Sequence, residues 1–93
     1  MSNYQNKTAI ITGGAEGIGL AIAKSYGQRG MNIVLTDINE QQLELGLKEL
    51  KSAGVTAIAL PLDVVEPQQW QAVVDGARAV FGKIHMLVNN AGV

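Results

Sequence analysis

The sequence contains no cysteine. That excludes a disulfide framework and any thiolate metal site, and it fits a reducing compartment. No run of like charges occurs either: seven Lys and Arg are interspersed with eight Asp and Glu, for a formal net charge of −1. Bulk charge therefore offers nothing to a nucleic-acid backbone or an anionic membrane surface. No uninterrupted apolar stretch is long enough to cross a bilayer, and the opening Met1-Ser2-Asn3-Tyr4-Gln5-Asn6-Lys7 has no apolar signal core. These absences lead to the expectation of a cytoplasmic protein with no nucleic-acid and no membrane partner. What is present is a globular composition, 47% apolar and 16% charged, which sets disorder aside. Ninety-three residues make one domain at most. A chain of that size buries roughly 60–65% of its unfolded surface, so by itself it is marginally stable.

Short apolar runs alternate with amphipathic stretches. Thr8-Ala9-Ile10-Ile11-Thr12 reads as a buried strand followed at once by a glycine-rich turn. Ile18, Ala21, Ile22, Ser25 and Tyr26 then recur at helical spacing, and Gly30 supplies a left-handed residue to end that helix. Ile33-Val34-Leu35 is a second strand; Leu43, Leu47 and Leu50 line a second helix that Gly54 closes. Val55 to Leu60 is a third strand ending at Pro61, and Pro67 suits a first helical position. Trp70, Val73, Val74, Ala77, Val80 and Phe81 form the longest apolar stripe, Gly82 ends that helix, and Met86-Leu87-Val88 is a fourth strand. The order is β-α-β-α-β-α-β. Strands that are apolar throughout belong to parallel sheets covered on both faces. Right-handed crossovers then predict a Rossmann-type, doubly wound α/β sheet in strand order 3-2-1-4. Gly27, Gly46 and Gly76, inside helices, mark close helix–sheet packing.

The strongest chemical signal is Thr12-Gly13-Gly14-Ala15-Glu16-Gly17-Ile18-Gly19, between a strand and a helix. A pyrophosphate needs close donors, and a helix N-terminus offers unpaired N–H groups and partial positive charge if no side chain intervenes. Gly13 lets the chain turn, Gly17 lets the backbone reach the phosphates, and Gly19 lets helix meet strand. No Gly-Lys-Ser/Thr follows, which excludes an NTPase phosphate loop. Asp37, ending the second strand, is placed to accept both ribose hydroxyls of an adenosine. The alternative is that Asp37 caps the next helix, but Asn39 fills that role better. Asp63, after the third strand, is a candidate for the adenine amino group, with Val64 packing on the ring; alone it is equally an ordinary loop aspartate. Asn89-Asn90-Ala91-Gly92 ends the fourth strand where this fold has its ligand crevice, and two adjacent amides there can satisfy loop backbone groups. Simple turn chemistry is the alternative.

Thr-Gly-x-x-x-Gly-Ile-Gly, the acid after the second strand, Asp-Val after the third and Asn-Asn-Ala-Gly after the fourth together resemble the short-chain dehydrogenase/reductase family, from about Lys7 to Val93. The Gly13, Gly17 and Gly19 spacing is similar to its compact oxidoreductase branch rather than to the extended sugar-nucleotide epimerases. The resemblance implies cofactor contact from Gly13, Gly14, Ala15, Glu16, Gly17, Ile18, Gly19, Asp37, Asp63, Val64, Asn90, Ala91 and Gly92. It further implies NAD as cofactor, hydride transfer to or from an alcohol or ketone, and a homo-oligomeric enzyme. No metal site is expected. Two departures stand out. His85 occupies a position where the family often has an acid, and is expected to be solvated and without a catalytic role. The family's serine and Tyr-x-x-x-Lys set is missing: the tyrosines are Tyr4 and Tyr26, and the residues four later are Thr8 and Gly30. The chain is thus expected to be the N-terminal half, residues 1–93, of a single dinucleotide-binding domain, inactive alone. A non-catalytic dinucleotide-binding module is the alternative if the gene product ends at Val93. A methyltransferase shares the glycine loop and the acid, but Asn-Asn-Ala-Gly argues against it.

Overall fold

The computed structural model describes residues 4–90. Four parallel strands, β1 (Thr8–Thr12), β2 (Asn32–Asp37), β3 (Ala57–Pro61) and β4 (Met86–Asn89), alternate with α1 (Gly17–Gln28), α2 (Glu40–Ser52) and α3 (Pro67–Phe81). The sheet order is β3-β2-β1-β4, as the alternation of strand and helix predicts. Residues of opposite parity along β1, β2 and β3 enter two separate cores. Ala9, Ile11, Ile33, Leu35 and Ala57 join Ala23 of α1 and Leu43 and Leu50 of α2 on one face. Ile10 and Val34 join Val73 and Ala77 of α3 on the other, with Trp70 and Phe81 packed alongside. β1 is buried along its whole length and β2 at all but its two end residues, because both of their faces are covered. The edge strands β3 and β4 are less buried.

Several local details follow from backbone accounting. Asn39 caps α2, its side chain accepting from the Gln42 N–H at 3.1 Å. Gly30, Gly54 and Gly82 all have positive φ just beyond their helices. β3 begins at Ala57 rather than Val55, because the Val55 N–H turns back to the Leu50 carbonyl at the end of α2. His85 is exposed, yet it extends the β1–β4 ladder: its N–H donates to the Thr8 carbonyl, and its Nδ1 accepts from the Thr8 N–H at 3.0 Å. That bond requires the ring proton on Nε2 when the imidazole is neutral.

The buried face of α1 differs from the one its apolar spacing predicts. Ile18 is 73% exposed, Ala21 and Ser25 are also exposed, and Ile22 and Tyr26 are only half-buried. The buried positions are Gly19, Ala23 and Gly27. The helix lies so close to its neighbours that only the smallest residues fit beneath it: a Cβ on Gly27 would collide with Cγ1 of Val55. Val80 likewise belongs to the outer surface of α3, at 58% exposure. Gly46 and Gly76 do mark close packing, facing Ala15 and Leu35 in one case and Leu60 in the other.

Candidate cofactor-binding site

The parallel register brings the carboxyl ends of the strands to one edge of the sheet. Asn89 pairs with Thr12 and Pro61 with Asp37. β1 is flanked there by β2, whose crossover helix lies on one face, and by β4, reached from α3 on the other. In an open α/β sheet the ligand crevice opens at such a switch point.

The glycine loop sits in this crevice and is anchored on both sides. Gly13 and Gly17 adopt φ of +59° and +61°, the left-handed region that glycine enters without penalty. The Gly14 N–H donates to the Thr36 carbonyl at 2.9 Å, tying the loop to β2. On the other side the Asn90 Nδ2 donates to the Gly13 carbonyl at 3.1 Å, while the Thr12 hydroxyl donates to Asn89 Oδ1 at 3.0 Å. The pair of amides thus satisfies loop backbone and side-chain groups. Gly19 is dictated by the same junction, since a Cβ there would run into the Gly13 carbonyl oxygen and Asn90 Nδ2. Gly17 is different: a Cβ built on it has nothing within 4 Å. Glu16 occupies the N-cap of α1 with extended backbone and makes no side-chain capping bond. The first turn of α1 thus receives no cap from the Glu16 side chain, and the space a Gly17 Cβ would fill is open.

Asp37 is half-buried at the end of β2. Its Oδ2 accepts from the Ala15 N–H at 3.1 Å and its Oδ1 from the Asn39 N–H at 3.0 Å. A carboxylate has about four acceptor positions, so two remain for a ligand. Asp37 and Asn39 share the work at the start of α2: Asp37 receives the Asn39 N–H, and Asn39 caps the helix. Glu16 is exposed, with its Oε2 accepting from Gln42 Nε2 at 2.6 Å.

A cleft of about 500 Å³ is lined by Ile38, Glu40, Pro61, Leu62, Asp63, Gln69 and Ala72; Ile38 follows Asp37 in the chain, but neither Asp37 nor the glycine loop lines it. No Lys or Arg is among these residues. Asp63 is held firmly: its N–H donates to Gln69 Oε1 at 2.7 Å, and its Oδ1 accepts from the Val65 N–H at 3.2 Å. Val64 packs against the core under α3, and its carbonyl accepts from Trp70 Nε1 at 2.7 Å. Hydrogen bonds and close approaches join Gly13, Gly14, Ala15, Gly19, Asp37 and Asn90 at one end of the sheet, with Glu16, Gly17 and Ile18 beside them in the chain; Asp63 lines the separate cleft. Ala91 and Gly92 lie outside the described residues. Sequence reading missed Gln42, Gln69 and the cleft wall. A glutamine on a polar helix face carries no spacing signal, and its partner is found only by folding. Among the described residues no cluster of His, Cys, Asp or Glu is arranged to hold a metal ion.

The chain belongs to the short chain dehydrogenase family, whose model matches residues 7–93. The diacetyl reductase of Staphylococcus epidermidis, which forms (S)-acetoin, is 46% identical over 88 residues, covering 95% of this chain and 34% of that protein. Among solved structures, a short chain dehydrogenase/reductase of Burkholderia phymatum in complex with NAD superimposes with a TM-score of 0.88 at 38% identity. The match covers 94% of this chain and 31% of that one. The L-sorbose reductase of Gluconobacter frateurii, complexed with NADPH and L-sorbose, gives 0.88 at 39% identity, over 96% and 34% of the two chains. The chain spans about a third of the length of these relatives. Among the described residues no helix is long and apolar enough to cross a membrane.

Proposed function

We propose that this chain is the dinucleotide-binding portion, residues 1–93, of an NAD-dependent oxidoreductase that moves hydride between the nicotinamide and an alcohol or ketone. The residues present suit the cofactor. The uncapped first turn of α1 and the open side of Gly17 offer N–H donors and room for a pyrophosphate. Asp37 retains acceptor capacity for ribose hydroxyls, and the cleft beside Asp63 has the size and wall for an adenine. The nicotinamide, when bound, supplies the hydride chemistry. This chain's own residues bind and orient the cofactor; in this proposal the serine and Tyr-x-x-x-Lys set, which residues 1–93 lack, is contributed from elsewhere in the complete protein.

Asp37 carries the choice of cofactor. Two like charges about 4 Å apart repel by roughly 4 kcal/mol at an effective dielectric near 20. Halving that for solvent screening still leaves about 2 kcal/mol, a preference for NAD over NADP of about thirtyfold or more. The glycine loop carries Glu16, and Thr36 and Ile38 flank Asp37, so neither place supplies a cation to offset the repulsion. The test is kcat/KM with both cofactors in the complete protein, before and after Asp37→Ala. The expected result is a strong NAD preference that Asp37→Ala largely abolishes. Equal use of NADP by the unmodified protein sinks the assignment of Asp37 to the ribose.

A further inference from the structure

We propose that Gln42 is a specificity-determining residue: by holding the Glu16 carboxylate it fixes a second negative charge beside Asp37, directed against a phosphate on the adenosine 2′-oxygen. The proposal rests on the placement of the adenosine ribose at Asp37.

The carrying observation is a closed circuit of hydrogen bonds linking the glycine loop, the end of β2 and the first turn of α2. The Ala15 N–H donates to Asp37 Oδ2 at 3.1 Å, and the Asn39 N–H donates to Asp37 Oδ1 at 3.0 Å. The Gln42 N–H donates to Asn39 Oδ1 at 3.1 Å, and Gln42 Nε2 donates to Glu16 Oε2 at 2.6 Å. Glu16 adjoins Ala15 in the chain, which completes the ring.

Glu16 is exposed, and an exposed glutamate that makes no such bond samples many rotamers, spreading its charge through solvent. Gln42 removes that freedom. Its own backbone is fixed by the helix cap, so the side chain works from a rigid anchor. The chemical type of the anchor matters as much as its reach. A lysine or arginine at this position could also hold Glu16, but it would neutralise the charge and offer a cation to a phosphate. The glutamine amide is a neutral donor, so it holds Glu16 without bringing a positive charge into the ring.

The experiment measures dissociation constants by calorimetry on the complete protein. The probes are adenosine 5′-monophosphate and adenosine 2′,5′-bisphosphate, which differ only in the 2′-phosphate. The unmodified protein should favour the monophosphate. Gln42→Leu preserves side-chain bulk and removes the donor. It should narrow the preference by about threefold to fivefold, the range of exposed charge contacts, through tighter bisphosphate binding. Gln42→Lys should narrow it further. Glu16→Gln, which removes the charge itself, should narrow it at least as much as Gln42→Leu, and the double variant should go no further than Glu16→Gln alone. Equal weakening of both probes by Gln42→Leu would mean a merely structural role and overturn the proposal, as would additivity in the double variant. Asp37→Ala separates the two levels. If it leaves the preference untouched, the ribose placement itself is wrong; if it removes the preference while both Gln42 variants leave it intact, only the role of Gln42 fails.

Discussion

Gly17 combines a left-handed backbone with open space above it, and the two properties have separable consequences. At φ near +60° a residue with a Cβ is disfavoured by roughly 1–2 kcal/mol, with Asn among the most tolerant and β-branched residues the least. Gly17→Val should therefore lose stability by about that amount in chemical denaturation. Gly17→Asn should stay close to the parent, within about 1 kcal/mol. Both place atoms where the pyrophosphate would approach the α1 N-terminus. Losing one charge-assisted hydrogen bond there costs about 1.5–3 kcal/mol, so both variants should bind NAD at least about tenfold more weakly by calorimetry. A stable Gly17→Asn protein with unchanged NAD affinity would make the loop a turn and nothing more. Gly19 belongs to a different category: its size is dictated by the Gly13 carbonyl and Asn90, whether or not a cofactor binds.

At the scale of elements, α1 departs from the usual way of building an amphipathic helix. Its buried stripe is Gly19, Ala23 and Gly27 rather than large apolar side chains, with Gly19 hard against the Gly13 backbone and Gly27 against the Val55 side chain. Replacing a helix-interior glycine by alanine normally stabilises by about 1 kcal/mol. At Gly27 the new methyl would strike Val55, which is 95% removed from solvent and stiff at χ1. Overpacking of this kind costs typically 1–3 kcal/mol, so the steric cost exceeds the propensity gain. Gly27→Ala should lower stability by about 1 kcal/mol in urea denaturation. Adding Val55→Ala should cost less in the Gly27→Ala background than in the parent, with a coupling of about 0.5–3 kcal/mol. A stabilised Gly27→Ala protein would show that α1 stands further from Val55. The same closeness holds the N-terminus of α1 against the Gly13 carbonyl and Asn90 at Gly19.

At the scale of the 93-residue polypeptide, the described sheet has two edge strands, β3 and β4. β4 is the end of the sheet beside β1, and Leu87 on it is 53% exposed. An apolar edge strand with free N–H and C=O groups is a template for pairing with another chain. Prepared as residues 1–93 alone, the chain should associate in a concentration-dependent way by sedimentation velocity. Leu87→Lys should reduce that association. A sharp monomer at every concentration would show that the β4 edge needs no partner. The same 93-residue polypeptide should give no cofactor-dependent turnover of alcohols or ketones, because it has no Tyr-x-x-x-Lys.

Much of this architecture was legible before folding. Apolar runs such as Thr8–Thr12 and Ile33–Leu35 mark strands buried on both faces, and the glycines after them mark turns, because those signals are local in the chain. Right-handed crossover geometry then leaves the 3-2-1-4 order. The positions of Gly13, Gly17, Asp37 and Asn90 follow, since each ends a strand or opens a helix on the same edge. Tertiary structure decided everything that depends on how closely two elements approach. It turned Ile18 outward and Gly27 inward on α1, against the apolar spacing, because the close approach of α1 to the Gly13 backbone and to Val55 selects for small volume and not for hydrophobicity. It also joined Glu16 to Gln42 and Asp63 to Gln69. Glutamine side chains have no period or motif, and their partners are selected only when the loop and the helix are brought within hydrogen-bond reach.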